Sequence, residues 1–453
     1  MLKRFILDTN IILSNDPQAI ITGFEENYVF ITGTSLQELD KKKDAGGEIG
    51  YNAREFGRLL DSLRRKGDLI QGVDLENGGK LFVEPDGVHQ EYLPDGFDIH
   101  IPDNRIISTC IHLNRKFAAS GEGPVHLVSN DILMRVNATI CGVIAEEYRN
   151  DQVRSSGYTG YTNIDCDPDM INLVYRDHEI DTAGFFEEPL LENEFVTLHA
   201  GTQSALTVHR GGRLHLIPPQ KLYGWVTPMN SLQSYAMYAL SAPPEEIPLV
   251  ILNGVAGSAK TFLSLAAGLQ DTYTGQGKRH SRYNRILLSK PSISFGEMGY
   301  LPGDMDEKMV PALASYMDNL DTLLRGKTGQ DEEMSQIRMQ ITDMFDEGIL
   351  EVCALSLIRG RSLKNCMLIC DEAQNATKTL IRDVISRAGE GVKVVVAGDP
   401  TQIDVPSLDS RNNGLTFAME SMKGSPSTAV ICFNEKQAVR SFLSKEAIIR
   451  MKA

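Results

Sequence analysis

Leu249-Val-Ile-Leu-Asn-Gly-Val-Ala-Gly-Ser-Ala-Lys-Thr261 sets an apolar run directly before a glycine-rich loop that ends in Lys-Thr. The same arrangement recurs twice further on. Met367-Leu-Ile-Cys370 runs into Asp371-Glu-Ala-Gln374, and Val394-Val-Val-Ala397 runs into Gly398-Asp-Pro-Thr-Gln402. Short continuous apolar runs are the signature of buried parallel strands. Ligands of open α/β sheets sit just beyond the carboxyl ends of such strands. The three repeats therefore place a glycine-rich loop, a carboxylate pair and an acid–amide pair on one rim, the layout of a motor-type nucleoside triphosphatase.

Gly254, Val255, Ala256, Gly257, Ser258, Ala259, Lys260 and Thr261 follow P-loop spacing with one change. In such a loop backbone amides cradle phosphates, the lysine reaches the outer phosphates and the Thr hydroxyl holds Mg²⁺. Phe262 to Leu269 reads as the helix that should follow. The change is Ala259, where the pattern has glycine. A near-helical backbone at this position would accept alanine at little cost, and retained nucleotide binding is expected. Asp371 is expected to bind Mg²⁺, and Glu372 to orient or deprotonate the attacking water. Gln374, Asp399 and Gln402 would sense the γ-phosphate. Gln233, ahead of the loop, is either a reader of adenine edges or an ordinary helical glutamine. Arg440, after the strand pattern Ala429 to Phe433, is a charge-stabilising arginine or a surface ion pair. Arg359 and Arg361 are alternatives to it, or RNA contacts.

With 453 residues the chain is long enough for two or three domains. Its net charge of -15 argues against coating nucleic acid non-specifically, while a local basic path is still sufficient for binding it. Lys41-Lys-Lys43, Lys278-Arg-His-Ser-Arg282 with Arg285, and Arg359-Gly-Arg361 are candidates for that path, or solvated faces. No run of about 18 apolar residues is present, so no membrane span is expected. Asp8, Asn10 and Asp16 interrupt the apolar N-terminus, which excludes a signal peptide. Seven thinly spread cysteines with no CxxC pair suit reduced thiols and a cytoplasmic location.

Three segments differ in character, and all suit an α/β fold class. Residues 1–150 alternate strand signals (Phe5 to Leu7, Val125 to Val128) with helical ones (Ser35 to Lys43, Ala53 to Arg65, Pro102 to Asn114). Residues 151–225 are turn-rich and acidic, with alternating patterns at Phe195 to His199 and Arg213 to Ile217, a small β-rich linker module. Asp165, Asp167 and Asp169 lack the Gly and distal Glu of a calcium loop and read as surface acid. Residues 226–453 carry the P-loop and form the second α/β domain with a mainly parallel sheet.

In the first segment Asp8 ends a strand pattern, Glu38 lies on the next helical signal, Asp103 opens a later helix and Asp131 follows another strand. Any one of these is more often a cap or surface charge. Acids at the ends of alternating elements can converge on one rim, bind Mg²⁺ or Mn²⁺ through oxygen ligands and activate water against a phosphodiester.

Two resemblances sharpen this reading. Phe295-Gly-Glu-Met-Gly-Tyr-Leu-Pro-Gly-Asp304, Ile358-Arg-Gly-Arg-Ser362, Asp371-Glu-Ala-Gln-Asn375, Gly398-Asp-Pro-Thr-Gln-Ile-Asp404 and Asn413-Gly-Leu415 resemble, in order, the PhoH family, whose domains are similar to the ATPase core of superfamily 1 helicases. This implies binding of ATP and Mg²⁺, with Gly254, Gly257, Lys260, Thr261, Asp371, Glu372 and Gln402 at the nucleotide. Residues 1–150 resemble a PIN domain, a metal-dependent nuclease fold, with Ala53-Arg54 and Leu133-Met-Arg135 as flanking signatures. Carried over, Asp8, Glu38, Asp103 and Asp131 are the metal-binding acids, with Asn10 in support. The segment Gly72 to Ile99 is long for a minimal PIN domain. A PIN domain joined to a PhoH ATPase implies unwinding or translocation of single-stranded or tailed RNA, coupled to its cleavage. Two other outputs are weighed beside it: an ATP-gated RNA-binding regulatory module with an inactive nuclease, and a plain ATPase of unknown substrate. A homo-oligomer, as a ring, suits a motor that places an arginine in its neighbour's site.

Overall fold

The computed structural model describes residues 2–45, 47–85, 87–148, 156–182, 189–255, 257–272, 282–291, 305–328, 334–358, 362–405 and 408–434. They fall into two compact units, Met1–Gln152 and Val153–Ala453. Among the described residues no helix is long and apolar enough to cross a membrane.

The first unit runs β1 (Arg4–Leu7), α1 (Thr9–Ser14), α2 (Pro17–Gly23), β2 (Tyr28–Thr32), α3 (Gly33–Lys42), α4 (Gly47–Arg64), β3 (Val73–Asp74), β4 (Lys80–Glu84), α5 (Pro102–Ala119), β5 (Val125–Val128), α6 (Ile132–Ile140) and β6 (Ala145–Glu146). Its sheet has the order β3-β4-β2-β1-β5-β6. Every neighbouring pair is parallel except β3 with β4. The central strand β1 is buried along its whole length, which is why Arg4-Phe-Ile-Leu7 shows no alternation. The long segment between α4 and α5 supplies β3, β4 and a single turn at Gln90–Tyr92. Ser108 of α5 fastens that turn, accepting from the His89 amide at 2.9 Å.

The second unit opens with β7 (Tyr161–Asp165), α7 (Pro168–Asp177), β8 (Glu179–Asp181), β9 (Phe195–Ala200), β10 (Gln203–Arg210) and β11 (Arg213–Leu216). These strands form a sheet of order β7-β9-β10-β11-β8, antiparallel apart from β7 beside β9. Asp165, Asp167 and Asp169 are exposed, and Asp167 caps α7 by accepting from the Asp169 amide at 2.9 Å. There follow α8 (Ser231–Ser241), β12 (Leu249–Gly254), α9 (Lys260–Thr272), β13 (Arg285–Ser289), α10 (Met305–Thr328), α11 (Met334–Asp346), β14 (Leu350–Val352), β15 (Cys366–Cys370), α12 (Lys378–Ser386), β16 (Lys393–Gly398), α13 (Gly414–Ser421) and β17 (Thr428–Phe433). Here the sheet order is β14-β13-β15-β16-β12-β17, parallel throughout. The β-rich part packs onto this core: Phe195 stacks on Tyr235 with ring centroids 4.6 Å apart, and the Cys432 amide donates to Thr159 O at 2.9 Å. The three strands read from the apolar repeats, β12, β15 and β16, lie side by side in the middle of the sheet. Their carboxyl ends share one rim.

Candidate functional site

The loop after β12 makes a tight turn in which the Ser258 hydroxyl donates to Val255 O at 2.8 Å. A Cβ on Gly254 would come within 2.5 Å of Phe433 O, so only glycine fits there. Lys260 is almost fully buried. Its ammonium donates to Gly254 O at 2.5 Å and Val255 O at 3.2 Å, curled back over the loop's own carbonyls. Ala256 lies outside the described residues, as do Arg359, Arg361, Arg440 and the segment 295–304.

Ala259 corrects one expectation. Its φ is +68°, in the left-handed region rather than the right-handed helical one. A side chain there crowds the following carbonyl, so the methyl does carry a conformational cost.

The Thr261 hydroxyl donates to Asp371 Oδ2 at 2.8 Å, joining the start of α9 to the end of β15. Asp371 is 4% exposed. Burial, then the Glu372 charge, pushes its carboxyl above the usual range against the Thr261 hydrogen bond and the Lys290 charge. Glu372 is itself left-handed, with φ +55°. It is held by Gln374, whose Nε2 donates to Glu372 Oε2 at 2.6 Å and to Gln402 O at 2.8 Å. The Gln374 Oε1 accepts from the Asp399 amide at 3.0 Å. Gln374 is fully buried and its amide is spent on these contacts, so it braces Glu372 instead of facing a phosphate. Asp399 Oδ1 accepts from the Thr401 amide at 3.0 Å and hydroxyl at 2.7 Å, while its buried Oδ2 has no hydrogen-bond partner among the described residues.

A cleft of about 210 Å³ brings Lys260, Thr261, Asp371, Glu372, Asp399 and Gln402 together, with Ser315 and Asn319 of α10 in its wall. Gln233 is not in that wall. It is 3% exposed, and its Oε1 accepts from the Met229 amide at 2.8 Å, a bond it would have to release to read both edges of a base. Sequence reasoning missed Lys290, Ser315 and Asn319. The Lys290 ammonium donates to the Ser315 hydroxyl at 2.7 Å and faces Asp371. Its signal was its place two residues past the apolar run Ile286 to Leu288.

In the first unit Asp8 follows β1 and caps α1, accepting from the Asn10 amide at 3.5 Å. Its Oδ2 accepts from the Ser129 hydroxyl at 2.6 Å. Asp8 is 2% exposed, and burial, with Asp103 and Glu38 nearby, raises its pKa to about 6. Asp103, in the first turn of α5, is raised by burial and then by Asp131 and Glu38. Glu38 Oε2 accepts from the Thr9 hydroxyl at 2.6 Å. Asp131 caps α6 through the Leu133 and Met134 amides at 2.7 and 3.2 Å. The four acids thus feel one another across a common rim, and Ser129 and Thr9 are partners that the sequence reading did not single out. An all-oxygen donor set of repelling carboxylates suits a hard divalent cation. Among the described residues, however, no group of three or more His, Cys, Asp or Glu side chains is drawn together as a shell for a metal ion.

Comparison with known proteins adds the following. Residues 5–149 match the model of the PIN domain, and residues 225–452 that of the PhoH-like protein family. Protein PhoH2 of Bacillus subtilis is 36% identical over 436 residues, covering 94% of this chain and 95% of that protein. Protein PhoH2 of Mycolicibacterium smegmatis is 32% identical, covering 94% of this chain and 91% of its own length. Protein PhoH2 of Thermobispora bispora is 31% identical, with coverages of 96% and 94%.

Proposed function

This chain belongs to the PhoH family and carries a PIN domain ahead of its PhoH domain, and from that premise we propose an ATP-dependent RNA helicase joined to a metal-dependent ribonuclease. The observation that carries the motor half is the Thr261–Asp371 hydrogen bond at 2.8 Å, with the braced Glu372 beside it. P-loop hydroxyl, strand-end aspartate and neighbouring glutamate meet at the mouth of one cleft.

In this reading Lys260 leaves the loop carbonyls for the outer phosphates of ATP. Thr261 and Asp371 would hold Mg²⁺. Glu372, fixed by Gln374, orients water for in-line attack. Asp399 and Gln402 report the γ-phosphate. In the N-terminal unit Asp8, Glu38, Asp103 and Asp131 would hold Mg²⁺ or Mn²⁺, with Ser129 and Thr9 fixing two of the carboxylates. The divalent ion, when bound, supplies Lewis acidity and an acidified water at each site. Seven thinly spread cysteines with no CxxC pair are in keeping with a cytoplasmic location.

The test is a tailed, end-labelled RNA duplex incubated with Mg²⁺, with and without ATP. Shortened product that grows with ATP supports the reading. A full-length displaced strand leaves a helicase with a silent PIN domain, whereas a duplex that stays intact favours the second reading, an ATP-gated RNA-binding module with an inactive nuclease. An unchanged duplex overturns the motor assignment.

A further inference from the structure

Strand β13 ends beside the strand that carries Asp371. Ser289 pairs with Cys370 in the parallel register, so Lys290 and Asp371 are the next residues of the two strands and leave the sheet side by side. The Asp371 amide donates to Ser289 O at 3.0 Å, which fixes that junction. The sheet order β13-β15-β16-β12 puts the P-loop on the far side of β15 from β13. Lys260 and Lys290 therefore flank Asp371 from opposite directions along one rim.

The surroundings of the Lys290 side chain are built. Its ammonium donates to the Ser315 hydroxyl at 2.7 Å and lies 5.4 Å from the centroid of the Tyr316 ring. Tyr316 is fully buried, and its hydroxyl donates to Ser289 O at 2.8 Å, which pins α10 to the end of β13. Ser315 and Asn319, one turn apart on α10, line the cleft. The ammonium thus stands within hydrogen-bond distance of the cleft wall. Among the described residues it forms no salt bridge, so its charge meets only a neutral hydroxyl and a ring face.

The cleft itself is short of positive charge. Its charged lining is Asp371, Glu372 and Asp399 against Lys260. A triphosphate adds more negative charge, and its transfer spreads charge over the γ-phosphoryl oxygens and the leaving oxygen.

We propose that Lys290 is a second phosphate-binding cation of this cleft, whose ammonium moves from Ser315 to a γ-phosphoryl oxygen when ATP binds. The inference rests on the nucleotide reading of the cleft given above. In hydrolysis the attacking water oxygen bonds to the γ-phosphorus. The bond from the γ-phosphorus to the β–γ bridging oxygen breaks with its electron pair staying on ADP, and the water's proton leaves by way of Glu372. Lys290 exchanges no proton. It remains an ammonium and offsets charge on the γ-phosphoryl oxygens from the side of Asp371 away from Lys260.

The test compares the full chain as wild type, K290M and K290R in ADP binding, binding of a non-hydrolysable ATP analogue, and steady-state ATP turnover. K290M keeps the aliphatic stem and loses the charge. It is expected to bind ADP, which has no γ-phosphoryl group, within about twofold of wild type and the analogue roughly tenfold more weakly. Its kcat is expected to fall about 100-fold. K290R restores the charge and is expected to recover most of that turnover. If K290M weakens ADP and the analogue alike, Lys290 only braces α10 and the proposal is overturned. Turnover in K290M equal to wild type overturns it as well. A wild-type chain that neither binds ADP nor turns over ATP overturns the nucleotide reading, and this proposal with it.

Discussion

Ala259 gives the most informative single substitution. Its φ is +68°, at the residue that precedes α9. Left-handed alanine costs about 1–2 kcal/mol relative to the right-handed conformation, and glycine escapes that cost. Glycine also loosens the unfolded chain, which offsets roughly 0.4–1 kcal/mol. Ala259→Gly should therefore stabilise the C-terminal unit by about 0.5–1 kcal/mol and raise its melting temperature by roughly 1–3 °C. A conformation set by closure of the loop onto α9 is common to the free and bound states, and its cost largely cancels in affinity. The dissociation constant for a non-hydrolysable ATP analogue, measured by titration calorimetry, should move by less than about fivefold, or ~1 kcal/mol. Ala259→Val should go the other way and lose roughly 1–2 kcal/mol of stability, because a β-branched side chain is disfavoured at positive φ. A hundredfold gain in affinity for the glycine variant, about 2.7 kcal/mol, would refute this reasoning: it would mean that the alanine is strained only when phosphates are bound.

Lys260→Ala should lower ATP turnover at least ~100-fold while sparing metal-dependent cutting of unstructured RNA, and Asp8→Asn should do the reverse; paired ATPase and RNase assays decide. Gln374→Ala removes the brace of Glu372 and strands the Asp399 amide, so ATP turnover should fall ~10-fold or more, with a loss of roughly 1–3 kcal/mol seen by chemical denaturation. Asp8 is protonated more readily folded, at about 6, than at its ordinary 3.8. The stability it contributes is thus fully present below 3.8 and lost as pH rises through 6, a span worth roughly 3 kcal/mol. Without divalent ions, Asp8→Asn should then raise the melting temperature of the N-terminal unit at pH 7.5, and added Mg²⁺ should erase that advantage. Ser129→Ala deletes the hydrogen bond that holds the Asp8 pKa down, so the pH needed for metal-dependent cutting should move upward.

The central sheet of the second unit was legible because its strands are buried on both faces. Val394 to Ala397 has no polar interruption, and the structure extends the strand by one residue at each end. Helix starts were legible where the signal was local, as at Pro102, the first residue of α5. The helices α10 and α11 were not read, nor was Arg285–Ser289 as a strand, and the contribution of Ser315 and Asn319 to the cleft went with them. Their role depends on packing between segments distant in sequence, which no local pattern records. The Ala259 backbone was misjudged for a related reason: the sign of φ is set by closure of the whole loop onto α9, whereas the residue itself argues for the common region.

The acids show what lay between. Asp8 and Asp371 were both found as carboxylates at the ends of apolar strands, yet Ser129 was not singled out and Thr261 was read only as a group for Mg²⁺, not as the hydroxyl that holds Asp371. Thr261 reaches Asp371 across 110 positions and Ser129 reaches Asp8 across 121. The two sites, on separate sheets, use the same local device: a buried strand-end carboxylate, raised by burial and by neighbouring acids, with one hydroxyl opposing the rise. Such a carboxylate is costly as an anion and gains most when a cation replaces the missing solvent. Protons and divalent ions must compete for it. For Asp8, with its pKa near 6, the competition falls within a unit or two of neutral pH. Apparent metal affinity at the N-terminal rim should drop about tenfold per pH unit once the pH is below 6. Asp8→Asn should abolish that slope, and an Mg²⁺ titration of thermal stability at pH 5.5 and 7.5 measures it directly. A slope that persists in the variant would mean that the proton resides on another acid of the rim.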